Sequence, residues 1–193
     1  RYFNNYNIIY KDWAIVPLDS TRQRLTTYLQ EFPENAEAQM LMGNIWYAGG
    51  AYDTAAAFYR KAIALNPYHA VFHGALANVL MVQNQLDSAD LQIVKALELQ
   101  DSSAYTFLTA AMLNVKKQDK AKSLAFADSA LARAGSLPVI YSGLSYVYAR
   151  LGEQEKSRQL FLRSASLGLK DTLAFKEVLT GQRKPEDYYR IYY

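Results

Sequence analysis

The sequence predicts an all-α fold, a solenoid of stacked helix-turn-helix repeats, and two observations carry that prediction. Four segments of 34 residues, beginning at Ala36, Ala70, Ala104 and Pro138, overlay without a gap. Small residues then fall in register at three places of every segment. The eighth place holds Gly43, Ala77, Ala111 and Ser145; the twentieth holds Ala55, Ala89, Ser123 and Ser157; the twenty-seventh holds Ala62, Ala96, Ala130 and Ser164. A unit this short cannot bury its own apolar face, so successive copies must stack.

Each segment contains two apolar runs at helical spacing, such as Met42, Ile45 and Trp46 followed by Ala55, Phe58, Tyr59 and Ala62, separated by a short polar or Gly-containing turn. Helix pairs are predicted to start near 36 and 53, 70 and 87, 104 and 120, 138 and 154. The small places allow the backbones of a pair to approach, and the large places fill the space between pairs. Gly49, Gly50, Asn84 and Gly152 fall where the chain leaves a first helix, a position that favours left-handed backbone. Asp53, Asp87 and Asp119 fall at the start of the second, beside its exposed N–H groups. The third segment departs most, with Ala110, Asn114 and Ala127 at places that are bulky elsewhere, which predicts thinner or shifted packing.

Upstream, Thr21, Leu25, Tyr28 and Pro33 precede Ala55, Tyr59, Ala62 and Pro67 by one period and predict a degenerate repeat. Its second helix is expected over Ser20 to Glu31, capped by Asp19 or Ser20. Its first, from Asn5 to Ala14, is built of poorer helix formers. Downstream, Thr172 to Leu179 reads as a helix capping the array, stopped by Gly181. The tail from Gln182 carries Tyr188, Tyr189, Ile191, Tyr192 and Tyr193, a density of large side chains that predicts cover by the array or by a second copy.

The first segment, with Met42, Gly43, Trp46, Gly50, Tyr52, Ala55, Tyr59, Ala62 and Pro67, resembles the tetratricopeptide repeat family. Segments two and four keep the pattern with Leu76, Leu80 and Ile93, and with Leu144, Tyr148 and Phe161. The resemblance implies a right-handed α-solenoid with a C-terminal capping helix. The expected layout is a degenerate repeat or helical cap over 1–35, repeats over 36–69, 70–103, 104–137 and 138–171 with the pattern clear over 36–169, and a capping helix and tail over 172–193.

The same resemblance implies a concave groove lined by the first helix of each pair. Residue by residue it comprises Glu37, Met40, Asn44 and Tyr47; Val71, Gly74, Asn78 and Met81; Tyr105, Leu108, Met112 and Val115; and Val139, Ser142, Tyr146 and Ala149. The residues taken as partner-binding are Met40, Asn44, Tyr47, Val71, Asn78, Met81, Tyr105, Leu108, Met112, Ser142 and Tyr146. Such a lining suits an apolar or amphipathic polypeptide segment, and Asn44 and Asn78 form a short ladder toward its backbone. Burial beneath neighbouring helices is the competing reading for each of them. The carboxylate clamp by which some family members hold a chaperone tail is not present. Asn44 matches one of its asparagines, but Met40, Ala75, Tyr105 and Thr109 occupy the remaining places, so an entering carboxylate would lose water with little return.

Composition narrows the function classes. The chain of 193 residues is 51% hydrophobic with 9 Gly and 5 Pro, enough apolar material for one helical unit without staples. It has no cysteine, which removes thiol nucleophiles, disulfides and Cys-metal sites. No apolar run approaches the roughly 20 residues a helical span needs. Opening at Arg1 rather than Met is compatible with a processed form or an excised domain, and the compartment stays open. The net charge of +3 is uneven: residues 1–103 hold seven Lys/Arg against ten Asp/Glu, and residues 104–170 hold ten against four. Lys116, Lys117, Lys120 and Lys122 form a basic run, but Asp119 interrupts it and no aromatics interleave, which favours a solvated face over a nucleic-acid site.

Catalysis needs a constellation, and the acids are dispersed, with no phosphate loop and no nucleophile elbow. His69 and His73, four apart, lack a nearby carboxylate to complete a metal site. The expectation is therefore a non-enzymatic adaptor with no cofactor or metal, whose partner is a protein or peptide. The alternatives are a self-assembly module whose groove is filled by its own or a neighbouring copy's terminus, giving a homo-oligomer, and an accessory domain of a larger protein.

Overall fold

The computed structural model describes residues 18–100 and 103–168. Among them stand nine helices and no strand: α1 (Leu18–Glu31), α2 (Ala36–Ala48), α3 (Tyr52–Leu65), α4 (Ala70–Val82), α5 (Leu86–Glu98), α6 (Ala104–Lys116), α7 (Lys120–Ala132), α8 (Pro138–Arg150) and α9 (Gln154–Ser166). The all-α repeat solenoid is the observed architecture, and the paired starts at 36 and 52, 70 and 86, 104 and 120, 138 and 154 lie within a residue of those the period predicts. The helix expected over Asn5 to Ala14, the capping helix over Thr172 to Leu179 and the Tyr-rich tail lie outside the described residues.

Neighbours in sequence pair as hairpins, α2 with α3, α4 with α5, α6 with α7 and α8 with α9. Each hairpin then stacks on the next through the contacts of α3 with α4, α5 with α6 and α7 with α8. The first helices also meet one another, α4 with α6 and α6 with α8, and so lie between neighbours on several sides. Their burial follows: α6 buries nine of its 13 residues, whereas α7 buries three of 13. One long core runs along the stack, and a smaller cluster of Leu25, Ala38, Leu41, Met42 and Ile45 joins α1 to α2.

All twelve small residues are buried. Where the place is Ser, its hydroxyl finds a hydrogen-bond partner, the Ser157 hydroxyl for Ser145 and a backbone carbonyl for the other three, which offsets the cost of burying it. Ser123 Oγ donates to Ala111 O at 2.9 Å and Ser157 Oγ to Ser145 O at 2.8 Å, in each case from the twentieth place to the eighth across the hairpin. Ser164 Oγ donates to Pro138 O at 2.8 Å. At Gly43 a Cβ would sit 2.5 Å from Tyr59 Cε1, so only glycine admits that ring.

The predicted left-handed residues are Gly50 (φ 76°), Asn84 (φ 61°) and Gly152 (φ 89°). Gly49 is a helix C-cap with ordinary φ of −81°. The third hairpin makes the same turn with Gln118 (φ 61°), a residue that carries no turn signal in sequence. Asp119 caps α7, accepting from Lys122 N at 3.0 Å, while Asp53 and Asp87 sit in the first turns of α3 and α5. Helix α1 starts at Leu18, two residues before expectation, so Asp19 lies in its first turn, bonded to Arg22 at 2.7 Å, and neither Asp19 nor Ser20 is the cap. The third hairpin is not thinned into irregularity. Its helices have the common length of 13 residues, and buried Asn114 satisfies its amide on Ala110 O at 2.8 Å within its own helix.

Polar contacts stitch successive hairpins at their turns. Gln83 Nε2 donates to Asp53 Oδ1 (2.6 Å), Lys117 Nζ to Asp90 Oδ2 (2.6 Å), and Lys120 Nζ to Leu151 O (2.9 Å). A second set sits at the fourth place of the repeat. Gln39 Nε2 donates to Pro33 O (2.7 Å), His73 Nε2 meets Pro67 O (3.0 Å), and Tyr141 O–H donates to Gly135 O (2.9 Å), each reaching back six residues to the turn that enters its helix.

Candidate functional site

The first helices α2, α4, α6 and α8 set four rows of side chains along one face, because residues 34 apart occupy equal places on successive helices. The second-place row is the most open. Val71 is 40% exposed and Tyr105 48% exposed, Glu37 is exposed, and Val139 is half-buried. The ninth-place row is half-buried at Asn44, Asn78 and Tyr146.

Five of the residues expected to touch a partner are instead core. Met40, Met81, Leu108, Met112 and Ser142 are each no more than 6% exposed, packed under neighbouring helices. For Leu108 the reason is the small residue opposite: at Gly143 a Cβ would lie 2.5 Å from Leu108 Cδ2, so α6 and α8 close over the leucine. These five form the floor. The wall that solvent reaches is Val71 and Tyr105, with Asn44, Tyr47, Asn78 and Tyr146 partly accessible.

The expected asparagine ladder is already engaged within the fold. Asn44 Oδ1 accepts the Tyr59 phenol at 2.7 Å, and Asn78 hydrogen-bonds the Tyr47 phenol. Tyr47 meets the Tyr52 ring edge-on at 5.5 Å. Burial first, and the neighbouring Tyr52 second, push the Tyr47 phenol up to about 12 against the lowering effect of Asn78, so it stays protonated.

The basic run is largely spoken for. Lys117 pairs with Asp90 at 2.6 Å, Lys122 with Asp119 at 3.5 Å, and Lys120 with Glu153 at 3.7 Å. The hydrogen bond to Asp90 raises the Lys117 ammonium above its ordinary value. Arg150, 34 residues beyond Lys116, brings a cation to the same place of the fourth repeat. His73 is buried with both ring nitrogens engaged, Nδ1 on Gln92 Oε1 at 2.8 Å and Nε2 on Pro67 O. His69 stacks on Phe72 at 4.1 Å. Among the described residues no group of three or more His, Asp or Glu is placed to hold a metal ion, and no helix is long and apolar enough to cross a membrane.

A stack of helical hairpins presenting one continuous face defines a helical-repeat interaction module. Two family profiles, both described as tetratricopeptide repeat, match residues 20–70 and 47–111. Residues 20–111 thus carry tetratricopeptide repeats, and that family and fold are typically those of non-enzymatic adaptors. No curated protein matches the sequence significantly. Among solved structures, the chain is similar to a thermophilic tetratricopeptide repeat protein of Thermus thermophilus, with TM-score 0.78 and 17% identity over 92% of this chain and 98% of that one. It is also similar to PilW, a widely conserved type IV pilus biogenesis factor, with TM-score 0.70 and 15% identity over 96% and 88% of the two chains. YrrB, a tetratricopeptide repeat protein with an unusual peptide-binding site, gives TM-score 0.54 and 18% identity over 84% and 86%. At these identities the likeness is one of fold.

Proposed function

We propose that this protein is an adaptor whose first-helix face binds a polypeptide segment through apolar and aromatic contacts. The observation that supports it is the second-place row. Val71 and Tyr105 are large apolar-bodied side chains left exposed on helices whose other apolar residues are buried or half-buried, and Val139 continues the row. An exposed aromatic over a closely packed floor is the arrangement that supplies anchoring contacts at protein interfaces. The presence of a peptide-binding site in YrrB, which shares this fold, is consistent with the reading.

The test is peptide binding by fluorescence anisotropy, using peptides selected by display on the intact chain. Tyr105→Ala combined with Val71→Ala should weaken binding by about tenfold or more. Leu91→Ala, which alters an exposed leucine of α5, should leave it unchanged. Binding should also persist in high salt, since apolar contacts are not screened. Peptides that ignore Tyr105 and Val71 but are lost on changing Leu91 would place the site elsewhere and sink the reading.

A further inference from the structure

Most cations of the last two described hairpins, Arg158 among them, are engaged within the fold. Lys117, Lys120, Lys122 and Lys156 are ion-paired with Asp90, Glu153, Asp119 and Asp128. Arg133 and Arg163 lie over the rings of Phe107 and Tyr141. Lys116 and Arg150 are different: both are exposed, and among the described residues neither has an ion-pair partner.

These two occupy one register. Each stands at the thirteenth place of its repeat, in the last turn of the first helices α6 and α8, which pack directly on one another. Each also lies four residues beyond the ninth-place row, Lys116 after Met112 and Arg150 after Tyr146, so both share that row's side of the helix. A role in offsetting the helix dipole does not account for them, because α2 and α4 carry no basic residue in their last turn, with Ala48 and Val82 at the same place, and form helices of the same length. The opposite charge lies at the other end of the face, where Glu37 opens the second-place row.

We propose that the segment bound by this face is apolar along its body and acidic at one end, its carboxylates lying beside Lys116 and Arg150 at the third and fourth repeats. The proposal rests on the groove reading above and adds the charge and the direction of the ligand. Two cations one repeat apart, with no ion-pair partner among the described residues, supply attraction to an acidic end. Glu37 disfavours the same acidic end at the first repeat.

The test uses three peptide display libraries that share a randomised body of Leu, Val, Tyr, Phe, Ser and Gly and differ in a fixed end, Glu-Asp, Gln-Asn or Lys-Arg. Binders are titrated by anisotropy before and after exchange of their ends. At low salt the acidic end should strengthen binding about three- to tenfold over the neutral one. Lys116→Gln with Arg150→Gln should abolish that advantage and leave neutral-ended peptides unchanged. Arg60→Gln with Lys61→Gln, which removes equal charge from exposed positions of α3, should preserve it. Indifference to the end, preference for the basic end, or equal loss in both double variants overturns the proposal. Binding that is sensitive to Tyr105→Ala but indifferent to the end overturns the acidic end alone; binding that ignores Tyr105, or libraries yielding no binder, overturns the groove reading with it.

Discussion

Tyr148 on α8 donates its phenol proton to Asp128 Oδ1 of α7 at 2.5 Å, across the junction between the third and fourth hairpins. Lys156 of α9 completes the group, 3.2 Å from the same carboxylate oxygen and 4.1 Å from the Tyr148 ring centre. The hydrogen bond from Tyr148 is the main reason the Asp128 carboxyl lies below its ordinary value, with Lys156 adding to the effect.

That shift has a pH signature. A carboxyl whose folded-state value is depressed contributes stability above its unfolded value, near pH 4, and loses it as pH falls through the lower folded value. Asp128→Asn should therefore cost under about 1 kcal/mol at neutral pH, because the carboxylate is largely solvent-screened. The difference from the parent protein should shrink below about pH 4. Urea titrations at pH 7 and pH 3 check this; a penalty that grows on acidification would contradict the assignment.

Gly43, inside α2, and Gly49, its C-cap, should respond unequally. Gly43→Ala drives a methyl into the Tyr59 ring, which is buried and held by its bond to Asn44, and should cost about 1–3 kcal/mol. Gly49→Ala meets nothing nearer than 3.6 Å at ordinary φ and should stay within about 0.5 kcal/mol. Thermal melts of the two variants give the comparison, and equal shifts would refute the packing described.

His73 joins two elements, whereas Tyr141 at the equivalent place hydrogen-bonds Gly135 O from a half-buried site. His73→Phe removes both part-buried contacts, to Pro67 O and to the Gln92 amide, and should cost about 1–3 kcal/mol. Tyr141→Phe should cost about 1 kcal/mol or less. Chemical denaturation ranks them, and the reverse order would show that these turn contacts do not carry stability.

Gln118 occupies the left-handed turn that glycine makes in the first and fourth hairpins. Replacing it with glycine should relieve backbone strain and raise stability by a few tenths to about 1 kcal/mol. Gln118→Val should lower it. A glycine variant that melts below the parent would mean that the turn is not strained.

Periodicity exposed the repeat because a stacked array imposes the same steric demand at every copy. Gly43, Ala77, Ala111 and Ser145 are small for one shared reason, the close approach of two backbones, and that reason recurs every 34 residues. The turn at Gln118 escaped notice because left-handed backbone is tolerated by many residues at a cost, and only Gly and Asn advertise it. The fourth-place donors escaped for a related reason: Gln39, His73 and Tyr141 share a geometry, not a residue type.

The sequence alone therefore determined the fold class, the helix starts of the four repeats to within a residue and the identity of the buried small residues, since each follows from local spacing and volume. Only the tertiary structure decided which side chains of the first-helix face meet solvent. Met40, Met81, Leu108 and Met112 share that face with Val71 and Tyr105, yet they are buried while Val71 and Tyr105 are exposed. Accessibility depends on how closely the next helix approaches, and at Leu108 a single glycine, Gly143, lets it close. The pairing of Lys117, Lys120 and Lys122 with acids was likewise settled by contacts through space, because two of those acids, Asp90 and Glu153, come from the adjoining repeats.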